Sequence, residues 1–145
     1  GYTGRAIDIM KNYWGAMLDL GATTFWEDFD ISWIKNAARI DEIVPKDKND
    51  IHGSFGKFCY TGLRHSLCHG WAGGPAAYLM ENILGIKIVE AGCKKIKIEP
   101  ELGNLTFAEG EYPTPYGNIK IRHQRKNGRV VSQVSAPKEV EIVNN

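Results

Sequence analysis

Long apolar runs are missing from this sequence. Its longest hydrophobic stretches fall well short of the roughly 20 residues that cross a bilayer as a helix, so a membrane is not expected as a partner. Charge of one sign is missing too: 18 Lys and Arg stand against 17 Asp and Glu, a net of +1. That balance gives nucleic acid or an anionic surface no electrostatic hold, and nucleic acid is likewise not expected. Cysteine is scarce. Cys59, Cys68 and Cys93 cannot all pair within one chain and no CxxC occurs, so buried thiols are expected rather than a disulfide framework. Gly1 to Asp8 lack a basic region leading into an apolar one, so no leader is read there; for a piece of a longer protein that says nothing of location. Internal repeats and low-complexity segments are absent as well.

What is present is enough for one ordinary domain or two small lobes: 145 residues, 43% of them hydrophobic. The first half has a helical period. From Arg5 to Leu20, apolar residues recur at Ile9, Met10, Tyr13, Met17 and Leu20, and Ala6, Trp14 and Leu18 widen the stripe. Gly21 follows where a left-handed cap belongs. A second helix is expected from Pro75, whose missing N–H suits a first turn, to Leu84, with Gly85 ending it. Between them, Trp33 to Ile43 is a further candidate helix, and the polar stretch from Pro45 to Gly53 reads as a long loop.

After Gly85 the period becomes two. Ile96 and Ile98 alternate with lysines and Glu99, and Ile119 and Ile121 alternate with Lys120 and Arg122. Val130 to Val134 and Val140 to Val143 continue the theme. Turn signals separate the runs, and Asn127-Gly128 is the strongest, because both central residues of a type I′ turn need positive φ. Short strands spaced by turns indicate a small antiparallel β-sandwich. The fold class is therefore α+β. The change of period near residues 86 to 92 divides a helical part, 1–88, from a sandwich, 89–145. The helical part carries aromatics over more than one face (Trp14, Phe25, Trp26, Phe29, Trp33, Phe55, Phe58, Trp71), more than its own helices can cover. Either the sandwich, missing helices, or a second copy of the chain is expected to cover them, so self-association is one expected outcome.

Two segments carry the chemistry. Gly21 to Asp30, GATTFWEDFD, places three carboxylates and three aromatics within ten residues. Glycosidases use carboxylates to move protons and flat rings to stack on sugar C–H faces. The rival reading is a capping box, with Thr24 at the N-cap and Glu27 three residues on. The second segment, from Arg64 to Pro75, sets His69 and Trp71 before a Gly-Gly-Pro helix start, where small residues admit close approach to the backbone. His69 could instead be a satisfied core histidine. Phosphate cradling lacks the Walker or Rossmann spacing, and Cys59, His65, Cys68 and His69 match no structural-zinc pattern.

GATTFWEDFD, then SLCHGWAGGPAAYLMENILGI, then KKIKIEPELGNLTFAEGEYPTPYGNIKIRH, in that order, resemble the C-terminal part of bacterial α-L-rhamnosidases. Those enzymes are glycoside hydrolases of the six-hairpin, (α/α)6-barrel class. The resemblance covers nearly the whole chain and is weakest over residues 34–60 and at the extreme C-terminus. It implies that residues 1–88 are a partial, helical-hairpin piece of such a barrel and 89–145 the sandwich that follows it. It also implies that the parent protein is a carbohydrate-active enzyme, periplasmic or extracellular, with a rhamnose-containing substrate and no cofactor or metal.

The family's GATT-aromatic-W-E segment supplies the general base of an inverting hydrolysis, which falls here on Glu27. Phe25 and Trp26 would shape the sugar pocket. The family's S-x-N-H segment matches Ser66-Leu67-Cys68-His69, which makes His69, with Trp71 beside it, a substrate contact. Cys68 stands where Asn is common, so the exact glycan is left open. The general acid lies upstream in the family, on barrel segments absent from this chain, and Asp28 and Asp30 are too close to Glu27 to replace it. The isolated chain is thus expected to be inactive, and the remainder of the barrel is its expected partner. The competing class is a non-catalytic carbohydrate-binding or structural β-sandwich. A Glu27 locked onto its own helix start would favour that class.

Overall fold

The computed structural model describes residues 1–51, 53–54 and 66–143. They form two compact units, Ala6–Gly74 on the one hand and Pro75–Asn145 with Gly1–Arg5 on the other. Among the described residues no helix is long and apolar enough to cross a membrane.

The unit 6–74 is built on α1, Tyr2–Asp19, which contains nearly all of the periodic stretch from Arg5 to Leu20. Gly21, at φ +90, closes the helix: its N–H reaches Leu18 O at 2.9 Å, and Ala22 N–H reaches Met17 O at 2.9 Å. This pair of bonds is the Schellman arrangement, and it satisfies two carbonyls the helix leaves open. Ala16, Met17 and Leu20 then pack with Ala22, Trp26, Phe29 and Ile51. Leu18 lies on the opposite face of α1 and stays exposed; Ile9 shares the face of Tyr13, Ala16 and Leu20 but sits one turn before Tyr13, where the cluster ends, and stays exposed too. Phe29 organises the rings. Tyr13, Trp26 and Trp33 meet it edge-on with centroids 5.1, 5.7 and 6.2 Å away, contacts worth about 0.5–1.5 kcal/mol each.

The candidate helix from Trp33 to Ile43 does not form. A single 3-10 turn, Ile31–Ile34, starts at Asp30, whose carboxylate accepts the Ser32 N–H at 2.8 Å. Asn36 then turns left-handed, at φ +61, and the following backbone bonds elsewhere. Ala38 N–H reaches Asn49 O at 2.9 Å, Ile40 N–H reaches Leu20 O at 2.9 Å, and the Arg39 guanidinium donates to Asp19 O at 2.7 Å. The loop thus satisfies the end of α1 instead of its own carbonyls.

In the other unit, α2 spans Gly74–Tyr78 and widens into a π-helical turn, Leu79–Ile83. Gly85 follows at φ +71, and a Cβ there would lie 2.3 Å from the carbonyl carbon of Glu99. Only glycine fits. The strands are β1 Ile86–Ile88, β2 Lys95–Ile98, β3 Phe107–Thr114, β4 Gly117–Lys126, β5 Arg129–Ser135 and β6 Glu141–Ile142. β3, β4 and β5 form an antiparallel meander, with Asn127 (φ +50) and Gly128 (φ +78) making the expected hairpin turn between Lys126 and Arg129. The other sheet, β1-β2-β6, is mixed: β2 pairs antiparallel with β1 but parallel with β6, Lys95 opposite Glu141. The wholly antiparallel expectation is corrected there. The chain leaves β2, completes the meander, and returns to the first sheet in the same direction as β2.

Leu84, Ile86, Cys93, Ile96, Ile119, Ile121 and Val140 form the shared core of the two sheets. The helix residues Met80 and Leu84 belong to this core, which is why the compact unit begins at Pro75, ahead of the change of period. His123 is fully buried in it. Its Nε2 lies 3.0 Å from Leu84 O and its Nδ1 2.8 Å from Ser132 Oγ. A carbonyl only accepts, so Nε2 carries the proton toward Leu84, and in the neutral ring Nδ1 accepts from the Ser132 hydroxyl.

Candidate functional site

Within the unit 6–74, two non-helical segments run side by side in opposite directions. Glu27 N–H donates to Ser66 O at 2.9 Å, His69 N–H donates to Phe25 O at 2.7 Å, and the Thr24 hydroxyl donates to Leu67 O. Helix formation at Thr24 would have used these groups locally. It does not occur, and the capping-box reading falls with it. Thr24 is spent on the neighbouring segment, and the Glu27 carboxylate accepts the backbone N–H of Ser66 at 2.7 Å.

Alternation along 24–27 sets the side chains apart. Trp26 turns into the core, 1% exposed, against Phe29. Its Nε1 has no hydrogen-bond partner among the described residues. Glu27 is exposed and Phe25 half-buried. Phe25 is held over backbone: a Cβ on Gly73 would lie 3.5 Å from its ring. Residues Gly70–Ala72 form a 3-10 turn, fixed by Trp14 Nε1 donating to Ala72 O at 3.2 Å. That turn projects Trp71 into solvent, 94% exposed, with its ring 5.4 Å from that of half-buried His69.

The paired segments therefore place Glu27, Phe25 and His69 on one locally braced stretch, with Trp71 next to His69. Trp26 supports that stretch from inside the core. Asp30 is engaged by Ser32, which holds its carboxyl below the ordinary range. Nearby, the Tyr13 hydroxyl donates to Phe29 O, and burial, followed by the charges of Asp28 and Asp30, pushes its pKa up. Cys59 and His65, weighed as zinc ligands, and Phe55 and Phe58 lie outside the described residues. Cys68 is an exposed free thiol and Cys93 a buried one.

The Ser66 bracket was not legible in the sequence. Ser66 Oγ donates to Cys68 O at 2.9 Å and accepts from Cys68 N–H at 3.1 Å. A serine two residues before a backbone group is a known local-turn signal, but its bond to Glu27 spans 39 positions and leaves no pattern.

Residues 85–143 match the protein family described as bacterial alpha-L-rhamnosidase C-terminal domain. Over 110 residues, 74% of the chain, the sequence is 34% identical to an alpha-L-rhamnosidase of Alteromonas sp. (strain LOR). It is 29% identical over 125 residues, 86% of the chain, to that of Streptomyces avermitilis. In each case the chain spans only about 10% of the relative's length. Among solved structures, the GH78 family rhamnosidase of Bacillus sp. GL1 superposes with a TM-score of 0.63 at 29% identity, over 94% of this chain and 12% of that one. The Streptomyces avermitilis alpha-L-rhamnosidase complexed with L-rhamnose gives a TM-score of 0.58 at 26% identity, over 88% of this chain and 10% of that one.

Proposed function

From the match of residues 85–143 to the C-terminal domain of bacterial alpha-L-rhamnosidases, we propose that this chain belongs to a glycoside hydrolase that removes terminal rhamnose with inversion. The sandwich is its C-terminal domain. The unit 6–74 is a piece of the helical catalytic barrel, with Glu27 as the general base.

One observation carries the reading. Glu27 presents an exposed carboxylate whose orientation is fixed by a 2.7 Å hydrogen bond from the segment that also bears His69. Inversion needs a carboxylate that takes a proton from water on the face opposite the leaving group, while an acid roughly 6.5–9.5 Å away protonates the departing oxygen. Glu27 fills the first role. The second belongs to an acidic residue on the rest of the barrel, which is the partner this unit requires. His69 contacts the sugar, and Phe25 and Trp71 offer ring faces to its C–H edges.

Glu27→Gln in the full-length enzyme tests the assignment, since it keeps shape but removes the base. Hydrolysis of a rhamnoside is expected to slow about 10²-fold or more. An unchanged rate removes Glu27 from the role. The isolated chain, without the acid, is expected to show no turnover of a natural rhamnoside.

A further inference from the structure

We infer that Ser66 is a positioning residue for the Glu27 carboxylate, its hydroxyl locking the turn whose backbone N–H grips that carboxylate. The inference rests on the reading of Glu27 as general base.

Both backbone groups of Ser66 are committed to Glu27. Its N–H donates to Glu27 Oε2 at 2.7 Å, and its carbonyl accepts the Glu27 N–H at 2.9 Å. Such a two-point grip sets the carboxylate only if the Ser66 peptide is itself fixed. The hydroxyl fixes it, by bonding both polar backbone groups of Cys68 at 2.9 and 3.1 Å. Ser66 is exposed, so water is available to that hydroxyl, yet it turns back onto the chain. Leu67 and His69, one residue on either side of Cys68, are tied to Thr24 and Phe25. The turn 66–69 is therefore held across its length; it grips the Glu27 side chain through the Ser66 N–H, and it carries His69, whose own N–H is tied separately to Phe25 O at 2.7 Å.

A glutamate has three rotatable bonds, and an exposed one free of partners samples many rotamers. A base that activates water must hold its oxygen to about 0.5 Å. A misplacement of about 1 Å can cost a factor of about 10² in rate. Because His69 is anchored by its own bond to Phe25 O, loss of the Ser66 hydroxyl falls on the Glu27 carboxylate and so on the rate of the chemical step more than on sugar binding.

The test uses the full-length enzyme. Ser66→Ala is expected to lower kcat about 10-fold while KM stays within about twofold, and Ser66→Thr, which keeps the hydroxyl, restores the rate. In a Glu27→Gln background, Ser66→Ala is expected to cost nothing further, because no base remains to be positioned. Should Ser66→Ala fail to fold, Thr24→Val releases the Leu67 carbonyl of the same turn and is expected to give the same split between kcat and KM. An unchanged kcat in Ser66→Ala, or an equal loss in both backgrounds, overturns the positioning role and leaves Glu27 as base. An unchanged rate in Glu27→Gln alone overturns the reading of Glu27 and this inference with it.

Discussion

His123 Nε2 donates to the carbonyl of Leu84 at 3.0 Å, joining the strand β4 to the last residue of the helical segment before Gly85. With Ser132 on Nδ1, the buried ring is satisfied at both nitrogens. His123→Leu keeps much of the volume but leaves the buried Leu84 carbonyl without its partner, while the hydroxyl of exposed Ser132 turns to water. Loss of the buried partner costs about 1–3 kcal/mol, and a destabilisation of that size is expected from urea unfolding. A change under about 1 kcal/mol would show that water replaces the ring.

Two glycines give a paired comparison. Gly85 and Gly128 both have positive φ, +71 and +78, but a Cβ at Gly128 meets nothing within 4 Å, while one at Gly85 strikes the backbone of Glu99 and Pro100. Backbone cannot swing aside as a side chain can. Gly128→Ala is expected to cost about 1 kcal/mol, the conformational term alone. Gly85→Ala is expected to cost at least about 3 kcal/mol or to block folding, because it adds overpacking to that term. Equal melting temperatures for the two variants would contradict the close approach at Gly85.

Acid and alkali act through different groups. Hydrogen bonds from Ser32, Arg39 and Asn118 hold the carboxyls of Asp30, Asp41 and Glu111 below the ordinary range. Their contribution is present above the unfolded carboxylate values, near 4, and is lost as pH falls through the lower folded values. These groups are exposed, so the effect is modest and weakens with salt. Tyr13 is shifted upward, by burial first. The unfolded chain releases that proton first, so stability is lost as pH rises above about 10. Urea midpoints measured against pH check both limbs. Asp41→Asn is expected to flatten the acid one and Tyr13→Phe the alkaline one.

Trp71 and His69 separate binding from folding. Trp71 is 94% exposed, so Trp71→Ala is expected to change stability by less than about 0.5 kcal/mol. If its ring carries sugar in the full-length enzyme, KM rises about 5-fold or more with kcat little changed, and His69→Ala behaves alike. A fall in kcat alone would move either residue into the chemistry.

The sequence showed what local rules decide. Gly21 and Asn127-Gly128 are legible because positive φ is a demand on single residues, and the alternation at Ile119 and Ile121 because a sheet repeats every two. What stayed hidden depends on distant partners. Trp33 to Ile43 has helical composition, yet Leu20 O and Asn49 O take its N–H groups. Glu27 had the spacing of a cap, yet its partner lies on Ser66. His123 occupies a core position in the alternation, and only Leu84 and Ser132 show why a histidine stands there. The parallel pairing of β6 left no mark, since two residues of strand look the same in either direction.

That parallel strand also sets an order of events. Lys95 and Ile96 find Glu141 and Ile142 only across the whole of β3, β4 and β5. The meander, whose strands are joined by short turns, closes small loops and gains contacts early. β6 must wait for it, because its partner is brought near only once the intervening strands have paired. During synthesis, β2 is expected to present one open edge until Ile142 has emerged, so the time spent in that state governs the exposure of the chain to mispairing.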